Sequence, residues 1–174
     1  MPNASVSPAV SQRLQNIENI HHWPTEEDAH AMLDIVVLNV GISQQLFDAR
    51  VFSDNLSILY DKDSPSEPEL PELCIVECLL VFAIGRLLQA HWDDTSEVPG
   101  QDFFDKALKR IPDLGRLRGH GILGIELMGL CALYLQVSDR KDEAYLYVGL
   151  VLCFKLSPSV VIPVQAADIP SRQA

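Results

Sequence analysis

Between Leu73 and Trp92 only Glu77 and Arg86 carry charge, and the other positions are apolar nearly all the way round a helix. A helix that is hydrophobic on every side is stable only when other elements surround it. The run therefore predicts a central buried helix. The remaining segments must then supply amphipathic helices, each with one face to bury against it. A chain of 174 residues is long enough for one domain with a modest core.

The flanking segments read as such helices. Trp23-Pro24-Thr25-Glu26-Glu27-Asp28 opens the first. Thr25 fits an N-cap, Glu26 and Glu27 suit the positive end of the helix dipole, and Asp28 stands where a capping-box acid belongs. Ala29, Met32, Leu33, Val36, Val37 and Val40 follow with helical spacing, and Gly41 ends or bends the helix. The β-branched pair Val36-Val37 leaves a strand as the weaker alternative there. In the next segment, Leu46 to Tyr60, the residues Phe52, Leu56, Leu59 and Tyr60 fall on one helical face, with Asp48 as its cap. Residues 61–72 are acidic and carry Pro65, Pro68 and Pro71, the composition of an exposed loop.

After the central run, Asp93 to Gly100 is a polar connection. Pro99-Gly100-Gln101-Asp102 opens a helix bearing Phe103, Phe104, Ala107 and Leu108, which Pro112 stops. Leu114 to Gln136 predicts one long helix. Gly119, Gly121, Gly124 and Gly129 lie inside it, each costing about 1 kcal/mol against Ala unless a neighbouring helix approaches closely. Asp139 to Asp142 forms a charged turn and cap, and a last helix starts near Glu143 with Ala144, Tyr147, Val148 and Val151 on one face. The fold class is all-α: a truncated antiparallel bundle or array of about five to six helices. Residues 1–22 read as a flexible lead-in, 23–153 as the helical domain and 154–174 as an irregular tail. Helix pairs of this kind stack as tetratricopeptide arrays do, although no internal repeat is present.

Composition narrows the chemistry. A formal net charge of -11 repels phosphate and anionic lipid, so no direct grip on nucleic acid and no membrane contact are expected. The polar N-terminus has no signal-peptide core, and the apolar stretches 78–85 and 121–135 fall short of the roughly 20 residues a membrane span needs. A soluble protein is the expectation. Cys74, Cys78, Cys131 and Cys153 sit in apolar surroundings without Cys-x-x-Cys spacing and read as buried thiols in a reducing interior, cytosol or nucleus.

Few residues suggest a site. His21, His22, His30, His91 and His120 lack the spacing of metal ligands. A Cys131–His120 nucleophilic pair needs a polar cleft, whereas Cys131 lies between Leu130 and Ala132 on an apolar helix. Glu77 and Glu126 read as surface-facing or paired helix residues rather than acid–base groups. Lys106, Lys109, Arg110, Arg116 and Arg118 form the one basic concentration and read as a solvated helix face. Phe103, Phe104, Tyr145 and Tyr147 read as core, and the glycines lack the context of a phosphate loop. No catalytic residue, cofactor or metal is assigned, and an enzyme is not expected.

Several runs then recur in a definite order. Phe47-Asp-Ala-Arg50, Phe52-Ser-Asp54 and Leu59-Tyr60 come first, followed by Leu80-Val-Phe-Ala-Ile-Gly-Arg86 and Pro99-Gly-Gln-Asp-Phe-Phe104. Gly124-Ile-Glu126, Leu133-Tyr-Leu-Gln136, Asp139-Arg-Lys141 and Ala144-Tyr-Leu-Tyr-Val-Gly149 complete the series. Together, over residues 24–152, they resemble the fungal-specific transcription factor domain. This is the regulatory middle homology region that follows a binuclear zinc-cluster DNA-binding domain in regulators of the xylanolytic-activator type. The resemblance implies an all-helical regulatory domain in the nucleus, taking part in DNA-templated transcription and contacting protein partners or the rest of its own regulator. It carries no catalytic residues. Its strongest run places Asp139, Arg140, Lys141, Tyr145, Tyr147 and Gly149 at cap, packing and turn positions.

Two departures shape that expectation. The family's zinc cluster needs six closely spaced cysteines and a basic segment, and this chain has four scattered ones. Zinc and DNA binding are therefore expected only of the family's DNA-binding domain. The pattern also changes after Cys153, so the chain reads as a fragment whose helical domain leaves an apolar face uncovered, a surface for a partner or an oligomer contact. The alternative is a stand-alone tetratricopeptide-like scaffold that binds a protein or peptide.

Overall fold

The computed structural model describes residues 23–40, 46–60, 71–90 and 98–156. These form α1 (Glu26–Val40), α2 (Ala49–Tyr60), α3 (Glu72–Gln89), α4 (Gln101–Arg110), α5 (Leu114–Gly119), α6 (Ile122–Val137) and α7 (Lys141–Leu156). Among the described residues there is no strand, so the bundle is all-α and Val36-Val37 is helical. No helix among them is long and apolar enough to cross a membrane.

The central buried helix is α3. Val76, Leu79, Leu80, Val81, Phe82, Ala83 and Ile84 are fully buried within it, covering every side of the helix. Each large side chain of this kind contributes roughly 1.5–3 kcal/mol when removed from water. α1, α4 and α6 supply the surrounding faces, and α2 makes a lighter contact. Trp23 meets Phe82 edge-on at 5.3 Å, and Phe82 meets Phe103 at 5.9 Å, so a line of aromatic rings ties the start of α1 and the start of α4 to the middle of α3. The Tyr60 hydroxyl donates to the Pro24 carbonyl at 2.8 Å and closes the end of α2 onto the chain entering α1.

Local capping follows the sequence. Thr25 Oγ1 accepts from the Asp28 amide at 3.2 Å, and Asp48 Oδ1 accepts from the Arg50 and Val51 amides at 2.9 and 3.3 Å. Asp113 Oδ1 caps α5 through the Gly115 and Arg116 amides. Each cap satisfies amides that a helix start leaves without an intrahelical acceptor.

Three expectations need correction. The single helix over Leu114 to Gln136 is two helices, α5 and α6, because Gly121 adopts φ +61°, which a helix cannot contain. With this division the described residues hold seven helices, next to the about five to six expected. The last helix starts at Lys141 rather than Glu143, and it runs on to Leu156, beyond the expected start of an irregular tail at 154. Buried Phe154 holds that final turn against the core. Finally, α3 ends at Gln89 rather than Trp92, since Ala90 is extended. Gly41, the loop 61–70, most of the link before Val98, the lead-in 1–22 and residues 157–174 lie outside the described residues.

Gly100 combines two demands. Its φ is +79°, and a Cβ placed on it would run into the Ala83 carbonyl of α3. Gly100→Ala should therefore destabilise the fold by about 2 kcal/mol or more, read as a lower midpoint in urea unfolding. Gly119→Ala is the matched control: a Cβ there meets nothing within 4 Å. That variant should be neutral or up to about 1 kcal/mol more stable. Equal losses from both variants would contradict the close α4–α3 junction.

Candidate functional site

Two places in the bundle depart from what packing alone requires. The first is the outer side of α7. Ala144, Tyr147, Val151 and Phe154 face inward against the core. Tyr145, Val148, Gly149, Leu152 and Leu156 recur at three- and four-residue intervals and form a second stripe on the opposite side. Tyr145 is 73% exposed, Leu152 53% and Leu156 80%, and Leu146 at the edge of the stripe is 70% exposed. An isolated apolar residue on a surface needs no explanation, but a continuous stripe along one helix does. α7 packs against α6 on its inner side, and a Cβ on Gly149 would meet nothing within 4 Å. Packing among the described residues therefore does not explain a residue that weakens a helix interior by about 1 kcal/mol relative to Ala.

The turn before α7 fixes which stripe faces out. Asp139 takes φ +61°, the left-handed conformation, its amide bonds the Gln136 carbonyl, and the Arg140 amide reaches the Leu135 carbonyl at 2.8 Å. This is the paired hydrogen-bond pattern that ends a helix and reverses the chain. Arg140 then holds Glu143 through two nitrogens at 2.7 and 2.6 Å, reaches Gln101 Oε1 at 3.4 Å, and lies 5.9 Å from the centre of the Phe104 ring. Phe104 stacks on Tyr134 at 4.3 Å, so one guanidinium joins α4, α6 and α7. Lys141 pairs with Asp139 at 2.8 Å, both largely exposed.

These contacts place the residues of the strongest sequence run. Asp139 and Arg140 lie between α6 and α7, and Lys141 is the first residue of α7. Tyr147 is half-buried and packs on the core. Tyr145 is not core, because a helix starting at Lys141 turns it outward, and Gly149 is mid-helix rather than in a turn. Val148 is likewise exposed, contrary to its expected place on the inner face. Sequence could have shown the second stripe, but a helix apolar on both sides gives no sign of which one is inside.

The second place is Glu77 on α3, the helix that packs against α6 and lightly against α2. Glu77 is only 5% exposed, the one buried charged side chain among the described residues. Among the described residues, no hydrogen bond or ion pair reaches it. The expectation of a surface-facing or paired residue is thus corrected, because at this position α3 is turned into the bundle. Burial pushes its carboxyl up to about 7, and the charges of Glu126 and Asp48 push the same way. Burial also raises half-buried Glu126, with Asp48 adding to the effect. Cys74, one turn before Glu77, receives the Asn55 amide at 3.8 Å.

The remaining candidates are dispersed. Cys131 and Cys78 are buried and burial drives both thiols upward, away from the thiolate a nucleophile needs. Cys74 is half-buried and Cys153 exposed, so the four thiols are not uniformly interior. His120 is exposed at the α5–α6 break, His30 lies on α1, and His21, His22 and His91 fall outside the described residues. Among the described residues no group of three His, Cys, Asp or Glu side chains is placed to hold a metal ion. Of the basic residues, Lys106 pairs with Asp102 and Arg116 with Asp113 along their own helices, Lys109 is exposed, Arg110 is half-buried, and Arg118 is also engaged. Phe103 and Phe104 are core. Compared with family models, with curated proteins and with solved structures, the chain matches none.

The Glu77 environment sets a pH dependence. Its folded value stands above that of a free glutamate, so the proton stabilises the fold. The ionised form is penalised fully above pH about 7, and the penalty fades as the pH falls to the ordinary carboxylate range. Glu77→Gln removes the titrating group. Its stability relative to the native chain should rise by roughly 2–3 kcal/mol between pH 5 and pH 8.5, measured by urea unfolding at each pH. A difference that does not change with pH would show that Glu77 is not held in this environment.

Proposed function

We propose that the chain is a regulatory interaction domain of a fungal transcription regulator, acting in the nucleus through protein contact rather than through DNA. The observation that carries the reading is the outward apolar stripe of α7, held in place by Arg140 and centred on Gly149. Such a surface suits a helix of a protein partner, or of the rest of the regulator, because a glycine in the stripe lets another backbone come close. Three further features favour the transcriptional reading. The motif runs follow the order of the fungal-specific transcription factor domain, the fold is all-α, and the strongest run coincides with the turn and helix that present the stripe. The net charge of -11 suits a domain that meets proteins rather than phosphate.

The reading is tested by fusing the chain to an unrelated DNA-binding domain and activation domain and measuring a reporter in fungal nuclei. The fused chain should change reporter output several-fold. Leu152→Glu, which alters a side chain that is already more than half exposed, should abolish the change while leaving helical content and thermal midpoint near those of the native chain. An unchanged reporter with a folded native fusion would refute the regulatory role. A change that survives Leu152→Glu would move the active surface away from α7.

A further inference from the structure

The outward residues of α7 keep a stricter spacing than exposure alone requires. Tyr145, Gly149, Leu152 and Leu156 follow one another at intervals of four, three and four residues, and Asp142 precedes Tyr145 by three. This 3.5-residue repeat is the seam by which one helix lies along another at a shallow angle. The inner stripe of Ala144, Tyr147, Val151 and Phe154 has intervals of three, four and three, and the core already fills it. The outer seam is unfilled among the described residues. Tyr145, Leu152 and Leu156 are each more than half exposed, and a Cβ on Gly149 would meet nothing within 4 Å. Exposed Leu146 and Val148 widen the seam on its two flanks.

Charge and shape decide what fits this seam. The chain carries a net charge of -11, yet α7 and the turn before it balance, with Asp139, Asp142 and Glu143 against Arg140, Lys141 and Lys155. Two copies of so acidic a chain repel one another over most of their surface, and this segment is where they meet without that cost. Lys141 is paired with Asp139, and Arg140 with Glu143. Asp142 in the first turn and Lys155 in the last are exposed and make no ion pair among the described residues. An acid at one end and a base at the other are both answered by a helix of the same kind running the opposite way. In shape, an antiparallel copy with its Leu152 opposite Gly149 also sets Tyr145 opposite Leu156, since the two spacings match. Each Leu152 then fills the gap left by the other copy's glycine. A parallel copy instead sets Asp142 against Asp142 within the seam.

We propose that α7 is a self-association surface, through which two copies of this chain pair antiparallel along the seam from Asp142 to Leu156. The pairing rests on the reading of the outward stripe as a docking surface, and its occupant is a second copy of the chain. Both copies use the same patch, so association closes at the dimer and does not extend into a filament. α7 has 16 residues, about 24 Å of helix, which makes a small interface and a dissociation constant on the order of micromolar.

The test is analytical ultracentrifugation of the full chain from about 1 µM to about 300 µM. A reversible monomer–dimer equilibrium without larger species is expected, and Leu152→Glu should stay monomeric throughout. Gly149→Leu separates a fitted seam from general stickiness. It adds apolar surface and replaces a poor helix former with a good one, so helical content should hold or rise. Dimerisation should nevertheless weaken about tenfold or more, because Leu152 of the other copy loses its place. Asp142→Lys and Lys155→Asp should each weaken the dimer several-fold at low salt, and the two together should restore it. Unchanged or tighter association of Gly149→Leu, or a dimer that survives Leu152→Glu, would overturn the proposal. Failure of the double charge swap to restore the dimer would overturn the antiparallel pairing. A chain that stays monomeric while its reporter response still depends on Leu152 would overturn self-association alone and assign the stripe to a different protein. Loss of both readouts would remove the docking surface itself.

Discussion

Everything in this bundle depends on the need to surround α3. Its side chains are buried on all sides, so neighbours are required in every direction, and α1, α4 and α6 take those positions. Aromatic contacts set the distances: Trp23, Phe82 and Phe103 form an edge-to-face series that spans the start of α1, the middle of α3 and the start of α4. Gly100 lets α4 begin directly against the Ala83 carbonyl, where any side chain would hold the two helices apart. The same demand traps Glu77. At its position on α3 the acid is turned into the bundle, away from exposed Arg86, so the carboxylate is buried by its place in the helix rather than by any interaction of its own.

How far sequence revealed this architecture depends on the range of the interactions involved. Thr25, Asp48 and Asp113 act as caps within a few residues of themselves, and the first two were legible for that reason. The all-apolar run over α3 was equally legible, because helical spacing and composition agree there. The break between α5 and α6 was not. Gly121 has the same side chain as Gly124, but only Gly121 adopts positive φ. Gly124 stays helical and lies close under the Leu117 carbonyl. Residue type permits both outcomes, and tertiary packing decides between them. The burial of Glu77 was illegible for a similar reason, since an acid on a helix is ordinarily directed to solvent or to a base.

α7 shows the limit of periodicity most clearly. It carries two apolar stripes, and either could face inward on spacing alone. The deciding contacts come from other helices. Left-handed Asp139 reverses the chain, and Arg140 docks on Glu143, Gln101 and the Phe104 ring. With Arg140 fixed there, Ala144 and Tyr147 must point inward and Tyr145 and Val148 outward. The Asp139–Gly149 run thus contains the parts that orient α7 and the residues that this orientation turns outward.

α6 lies between the two unusual places. It packs against α3 on one side, where the charge of Glu126 acts on Glu77, and against α7 on the other, where Tyr147 lies within electrostatic reach of Cys131. Cys131 follows Glu126 by five residues, a little under one and a half helical turns, so the two residues project from opposite sides of the helix. The buried residues between them, Leu127, Met128 and Leu130, leave α6 little room to shift without disturbing both neighbours.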